Sequence, residues 1–259
     1  MSFSSLKERY LDSLQKYSDI HEYLTTLLKF GEKVNHITEF GVRAGISTCA
    51  FLNSKPKIQR VVESLKIDAH YIYLVQDEHY QTYNLKYLLN LITPNCEIIR
   101  VKNVTDGAAR TCLLAADVID NEKELIIANS DQIIEWNPHR FFYYLDSKNA
   151  DGGILTFESS HPKWSYAKTD ESNQVIEVAE KAPISNKATT GIYWFKTGKS
   201  FVKAASNMIS KNIRVNNEFY VCPVFNELIL SGKAIYTFDC EKMNGVGTPE
   251  DLNEYLRTT

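Results

Sequence analysis

No uncharged apolar stretch in this chain approaches the roughly 20 residues that a membrane-spanning helix needs. The opening residues, Met1-Ser2-Phe3-Ser4-Ser5-Leu6-Lys7-Glu8, carry no apolar signal core. No partnership with a membrane is expected, and a soluble, cytoplasmic chain is. The five cysteines (Cys49, Cys96, Cys112, Cys222, Cys240) are odd in number, scattered and never in a C-x-x-C pair. That argues against a disulfide framework and a zinc site, and for a reducing compartment. None of the six histidines falls in an H-x-x-x-H spacing, and there is no G-x-S-x-G elbow of a hydrolase. Charge of one sign is lacking too: the formal net charge is −3, no electrostatic footprint for nucleic acid. Repeats and low-complexity tracts are absent. What remains is 259 residues, 44% hydrophobic and 24% charged, an ordinary globular composition long enough for one large α/β domain.

Hydrophobic periodicity divides the chain in two. The first thirty residues read as helix, with Leu6, Tyr10, Leu14 and Tyr17 at helical spacing. Strands are expected at 37–40, 71–75, 97–101 and 125–128, and helices at 46–52, after Pro56, at 80–91 and at 108–118. This alternation predicts βαβ units and a largely parallel sheet. Beyond residue 131 the strands at 153–157, 175–179 and 191–195 are separated by loops, so antiparallel pairing enters and the sheet becomes mixed. Helices at 200–209, 219–230 and 249–256 and a strand at 234–238 complete the chain.

The most informative stretch is the apolar run Leu125-Ile126-Ile127-Ala128 ending in Asn129-Ser130-Asp131-Gln132. It reads as a short buried strand that delivers a carboxylate to its C-terminal end, where open α/β sheets bind ligands. A carboxylate there suits Mg²⁺, which is held by one or two carboxylates together with substrate phosphates. The plainer reading is a helix N-cap, since Asn, Ser and Asp all cap well.

Further segments extend this. They are Lys55-Pro56-Lys57-Ile58-Gln59-Arg60, Thr105-Asp106-Gly107-Ala108-Ala109, Val178-Ala179-Glu180-Lys181, Thr190-Gly191-Ile192-Tyr193, Asn217-Glu218-Phe219 and Gly245-Val246-Gly247-Thr248-Pro249-Glu250. On these, in this order, the chain from about residue 55 to 256 resembles the sugar-phosphate nucleotidyltransferases. The resemblance implies a three-layer αβα, Rossmann-like fold with a mixed, mainly parallel central sheet. It also implies transfer of a nucleotidyl group from a nucleoside triphosphate to a sugar 1-phosphate, giving a nucleotide sugar for surface polysaccharide or glycoconjugate synthesis. Asp131 would hold Mg²⁺, and Lys181 would neutralise the sugar phosphate. Gly107 and Ala108 would approach the nucleobase. Glu180, Glu218, Thr190, Gly191 and the backbone at Tyr166 would face the sugar. Whether the chain forms a homo-oligomer is left open.

Two parts of the family pattern are missing. The G-x-G-x-R loop and the P-K-P-type lysine that bind the triphosphate are absent, and Gly245 stands where the second acidic metal ligand belongs. Ahead of residue 55, Thr38-Glu39-Phe40-Gly41-Val42-Arg43-Ala44-Gly45 is similar to the first motif of class I methyltransferases, which bind S-adenosylmethionine, although Arg43 replaces a middle glycine. Residues 1–54 are therefore read as a helix and a strand–loop–helix integrated into the same sheet as the nucleotidyltransferase-like domain at 55–259. Gly41, Arg43 and Gly45 are candidates for a substitute phosphate loop at a helix N-terminus. The alternatives are an inactive nucleotide-sugar binder or chimera, and a methyltransferase.

Several of these residues have plainer roles. Glu180-Lys181 can be a solvated charge pair, and Gly191 a strand irregularity. Glu218 can sit in the first turn of a helix, and Asp106 can cap one. The three tryptophans are expected to pack, with Trp164 a candidate wall of the sugar pocket.

Overall fold

A computed structural model of the chain describes residues 57–258. The helix after Pro56, α1 (Lys57–Leu65), buries Val61 and Leu65 together with two polar residues, Gln59 and Ser64. Ser64 has work there: its hydroxyl accepts from Ile134 N at 3.3 Å. The Trp136 indole N–H donates to the carbonyls of Ser64 (3.1 Å) and Leu65 (3.2 Å), serving helix-end acceptors that lack intrahelical partners.

Next come β1 (Ile72–Gln76), α2 (Asp77–Thr82), α3 (Leu85–Ile92) and β2 (Glu97–Val101). The single helix expected over 80–91 is broken at Asn84, which takes a left-handed φ of 52°. Likewise the helix expected over 108–118 is two short pieces, α4 (Ala108–Leu113) and α5 (Ala116–Ile119). After β3 (Leu125–Ala128) and β4 (Gln132–Glu135) comes α6 (Pro138–Ser147), started by the Asn137 side chain accepting from Arg140 N with a proline just inside. Strands β5 (Gly152–Glu158), β6 (Ser165–Thr169), β7 (Val175–Glu180) and β8 (Lys187–Phe195) follow. The chain ends with α7 (Gly198–Ser210), α8 (Val224–Leu230), β9 (Ile235–Asp239), β10 (Lys242–Gly245) and α9 (Pro249–Thr258).

The central sheet has the order β7-β6-β8-β5-β9, with β3 also paired to β8. Strands β5 and β8 are buried along nearly their whole length, because alternate residues feed two different cores. Ile154, Tyr193 and Phe195 point to the face covered by α7 and α8, where Phe201, Ala204, Ala205 and Met208 line one side of α7. Leu155, Ile192 and Trp194 point to the face covered by α6, through Phe141 and Leu145. Each such large side chain contributes about 1.5–3 kcal/mol by leaving water. Helix layers on both faces of a mixed sheet give the expected three-layer α/β fold.

Its parallel share is smaller than expected among the described strands. Only β1/β2 and β5/β9 pair in parallel. The pairs β3/β8, β5/β8, β6/β7, β6/β8 and β4/β10 are antiparallel. Strands β1 and β2, expected to lie centrally beside β3, form a separate two-stranded sheet. The centre is taken by β8 and β5, whose continuous apolar runs fill both cores. The strand expected at 37–40, and the 1–54 segment with it, lie outside the described residues.

Candidate functional site

The site is organised by a gap along β8. Residues 192–195 of β8 pair with β3, in the register Ala128↔Ile192 to Leu125↔Phe195. Further toward its N-terminus the same side of β8 pairs with β6, at Tyr166↔Ala188. Thr190 and Gly191 lie between the two partners, where β3 has ended and β6 has not begun. The chain leaving β3 carries Asp131 to one side of this gap. The chain entering β6 carries Trp164 on the other, and Ser165 pairs with Glu180 at the end of β7. The registers thus bring Asp131, Gly191, Glu180 and Lys181 to one opening at the C-terminal end of β3.

Gly191 is required at this point. It has φ +78°, and an added Cβ would meet the Gln132 amide oxygen and sit 2.5 Å from Asn129 Nδ2. It is also a strand irregularity, since the β5/β8 register shifts between Ile154 and Thr156 opposite it. Its carbonyl accepts from Asn129 N at 3.0 Å, which steers the chain toward Asp131. The helix-cap alternative for 129–131 fails, because strand β4 begins at Gln132. Asp131 is held by its backbone carbonyl, which accepts from Val246 N at 2.7 Å, and Gly247 lies against its carboxylate. Its Oδ1 is buried without a hydrogen-bond partner, and so is Gln132 Oε1. Buried oxygens of this kind are costly unless something fills them. Thr190 is also fully buried, but its hydroxyl donates to the Leu155 carbonyl at 3.1 Å.

Across the gap, Glu180 accepts a short hydrogen bond from the Ser165 hydroxyl. Burial raises its carboxyl above the ordinary range, and the Ser165 bond opposes that rise. Lys181 adopts a left-handed φ of 54°, and its N–H donates to the Trp164 carbonyl at 3.1 Å. Its ammonium is exposed, donates to the Tyr220 hydroxyl at 2.7 Å and lies 4.8 Å from that ring's centroid. The Tyr220 bond raises the Lys181 pKa, so the charge persists through neutral pH. Trp164 packs edge-on against Phe157 at 5.4 Å and faces Gly245, whereas Trp136 and Trp194 are core residues. The Tyr166 side chain is buried, its hydroxyl donating to the His161 carbonyl at 2.7 Å.

Glu218 does not begin a helix. Asn216 (φ 49°) and Asn217 (φ 64°) form a tight two-residue turn, closed by Val215 N to Glu218 O (3.0 Å) and Glu218 N to Val215 O (2.9 Å). The turn presents Glu218 to solvent beside Tyr220, and α8 starts only at Val224. Phe219, one residue on, faces the other way. Its N–H donates to Asp106 O (2.8 Å) and its carbonyl accepts from Ala109 N (2.9 Å), with Gly107 wedged against its backbone. Arg214 and Arg110 both pair with the Asp106 carboxylate and both lie over the Phe219 ring, at 3.9 and 5.7 Å. Asp106 is therefore an ion-pair hub rather than a helix cap. Ala108 is exposed at the rim, and Ala109 is fully buried beneath it.

Sequence reasoning missed Tyr220, Arg214 and Gln132. The Asn-Asn pair was the available signal for the first two, because consecutive asparagines tolerate positive φ and mark a hairpin whose arms alternate faces. Gly41, Arg43 and Gly45 lie outside the described residues.

The sequence matches the family described as nucleotidyl transferase over residues 47–259. The chain belongs to that family. The match begins after the methyltransferase-like motif, which nothing here supports. Solved structures agree on the fold. A nucleoside-diphosphate-sugar pyrophosphorylase from Vibrio cholerae RC9 is 22% identical with a TM-score of 0.66, the alignment covering 78% of this chain and 87% of that one. A UDP-glucose pyrophosphorylase complexed with UDP-glucose is 18% identical with a TM-score of 0.57, covering 79% and 88%. An inositol-1-phosphate CTP transferase from T. maritima is 16% identical with a TM-score of 0.58, covering 77% and 80%. Among curated proteins no relative matches.

Proposed function

We propose that this nucleotidyl transferase family member joins a nucleoside triphosphate to a sugar 1-phosphate, releasing pyrophosphate and a nucleotide sugar for glycan synthesis in the cytoplasm. The observation that carries the reading is the unpartnered, buried Oδ1 of Asp131, on the chain that leaves β3 at the gap along β8. A sugar phosphate at Lys181 would have its charge neutralised and one oxygen aimed at the α-phosphorus. The bond from that phosphorus to the bridging oxygen would break, and pyrophosphate would carry the electron pair away. Glu218 and Glu180 would accept hydrogen bonds from the sugar hydroxyls, and Gly107 and Ala108 would let the nucleobase approach.

A divalent cation fits the donor set. Asp131 would hold Mg²⁺ through the oxygen that no protein group satisfies, with Gln132 Oε1 a second unsatisfied oxygen nearby in the chain. When bound, Mg²⁺ neutralises phosphate charge. Among the described residues no cluster of three His, Cys, Asp or Glu forms a complete protein cage. The missing triphosphate loop and lysine set the rate. Loss of one charge-stabilising donor costs a factor of about 10²–10³, so turnover is expected to be slow unless Gly41, Arg43 and Gly45 replace them.

The test is calorimetric titration with a panel of sugar 1-phosphates and nucleotide sugars in Mg²⁺, beside a pyrophosphate-release assay. Lys181→Ala should weaken binding by about 1.5–3 kcal/mol, the scale of a charge-assisted hydrogen bond. Binding untouched by that substitution would put the ligand elsewhere. Binding without pyrophosphate release from any nucleoside triphosphate would favour an inactive nucleotide-sugar binder, the reading that the missing loop and lysine support.

A further inference from the structure

We infer that Tyr220 is a positioning residue that presets the Lys181 ammonium to receive the acceptor phosphate. The inference rests on the nucleotidyl-transfer reading of this site. An exposed lysine ordinarily loses rotamer freedom when it is fixed on a ligand. Here both ends of the side chain are already constrained. Its root is set by the left-handed backbone and the bond from Lys181 N to Trp164 O (3.1 Å), and its tip by the Tyr220 hydroxyl at 2.7 Å and the ring face at 4.8 Å. An ammonium has three N–H donors, and Tyr220 takes one. Two remain for phosphate oxygens, so the contact need not break when a ligand arrives.

The phenol oxygen accepts from Lys181, and burial is the largest of the causes that push the phenol pKa up. Tyr220 is itself anchored. Phe219 before it is locked to Asp106 and Ala109, while Val221 and Cys222 after it are in the core. The two-residue turn at Asn216-Asn217 sets where Glu218 stands relative to the ring. Phe219 thus clamps the wall while Tyr220, one residue on, guides the lysine.

Tyr220→Phe keeps the ring and removes the hydroxyl, and Tyr220→Leu removes both. With a sugar 1-phosphate that the wild type binds, Tyr220→Phe should weaken affinity about three- to tenfold, and Tyr220→Leu further. Lysine ammonium ¹⁵N–¹H spectra of the free protein add a readout that general stability does not move. A signal lost in Lys181→Ala should also broaden away in Tyr220→Phe. Wild-type affinity and an unchanged ammonium signal in Tyr220→Phe, with Lys181→Ala impaired, would overturn this inference and leave the site reading intact. If the wild type binds no sugar phosphate at all, both fall together.

Discussion

Replacing Gly107 with alanine tests whether the wall of the site is built as described. Gly107 sits at φ 124°, ψ 166°, a region open essentially only to glycine. A Cβ there would meet Phe219 N and sit 2.5 Å from Phe219 O and 2.8 Å from Phe219 C. These are backbone atoms, which cannot swing aside as a side-chain tip can. They also belong to the two hydrogen bonds that flank the glycine, Phe219 N to Asp106 O and Ala109 N to Phe219 O. Backbone strain of about 1–3 kcal/mol and two hydrogen bonds of about 0.5–1.5 kcal/mol each combine to a loss of about 2–6 kcal/mol for Gly107→Ala.

Gly232 supplies the control. It too has positive φ, at +75°, but nothing lies within 4 Å of its Cβ position. Gly232→Ala should cost only the left-handed penalty of about 1–2 kcal/mol. Urea unfolding of both variants, read as midpoint shifts at constant slope, separates the two terms. Equal losses would mean that Gly107 and the Phe219 backbone are not in contact. A larger loss for Gly107→Ala, together with weaker nucleotide binding, is the expected pattern.

Two further predictions follow from the carboxylates. Mg²⁺ at a hundred times its dissociation constant should stabilise the wild type by about 2.7 kcal/mol, or about 5–11 °C in melting temperature at 2–4 °C per kcal/mol. Asp131→Ala should abolish that shift, and a shift that survives would place the cation elsewhere. Glu180, whose carboxyl is raised by burial, is easier to protonate folded than unfolded. Its contribution to stability is full below its ordinary pKa of 4.5 and is lost as pH rises through the higher folded value. Glu180→Gln, which can still accept from Ser165, should therefore gain stability relative to the wild type as pH increases from 4.5 toward neutrality. Parallel pH–stability curves for the two proteins would refute the burial argument.

Much of the fold was legible because local signals and tertiary packing agree. Strands β2 and β3 fall on the residues that apolar runs mark, and α7 on a helical stripe of Phe201, Ala204, Ala205 and Met208. Where packing decides, the reading failed. Strand β4 follows Asp131 directly with no turn residue to announce it, and β6 contains Lys168 and Thr169, too polar a run to stand out. Residues 219–223 look like the start of a helix by composition, but two asparagines at positive φ and Pro223 hold them extended and turned. Asp131 was proposed from the apolar run that ends beside it, and Lys181 from the order of the motifs. Their relationship along β8 depends on β3 and β6 sharing one side of that strand, a register that no local sequence encodes.

Under the proposed reading, that register lets an acceptor half form without the triphosphate signature that the sequence lacks. The proposed acceptor half is made by elements whose folding reasons are independent of ligand: Gly191 leaves room for Asn129 and Gln132 beside β8, the Ser165–Glu180 pairing ends β7, and Tyr220 meets Lys181 beyond the asparagine turn. Each is secured by backbone bonds or core burial. Triphosphate binding instead needs a glycine loop and cations that the described residues do not supply in motif form. Substitutions in the acceptor corner should therefore change sugar-phosphate affinity whether or not the protein turns over, and substitutions at Gly41, Arg43 and Gly45 should change only pyrophosphate release. A variant at Arg43 that lost sugar-phosphate binding with its fold intact would show that the two halves are not separable.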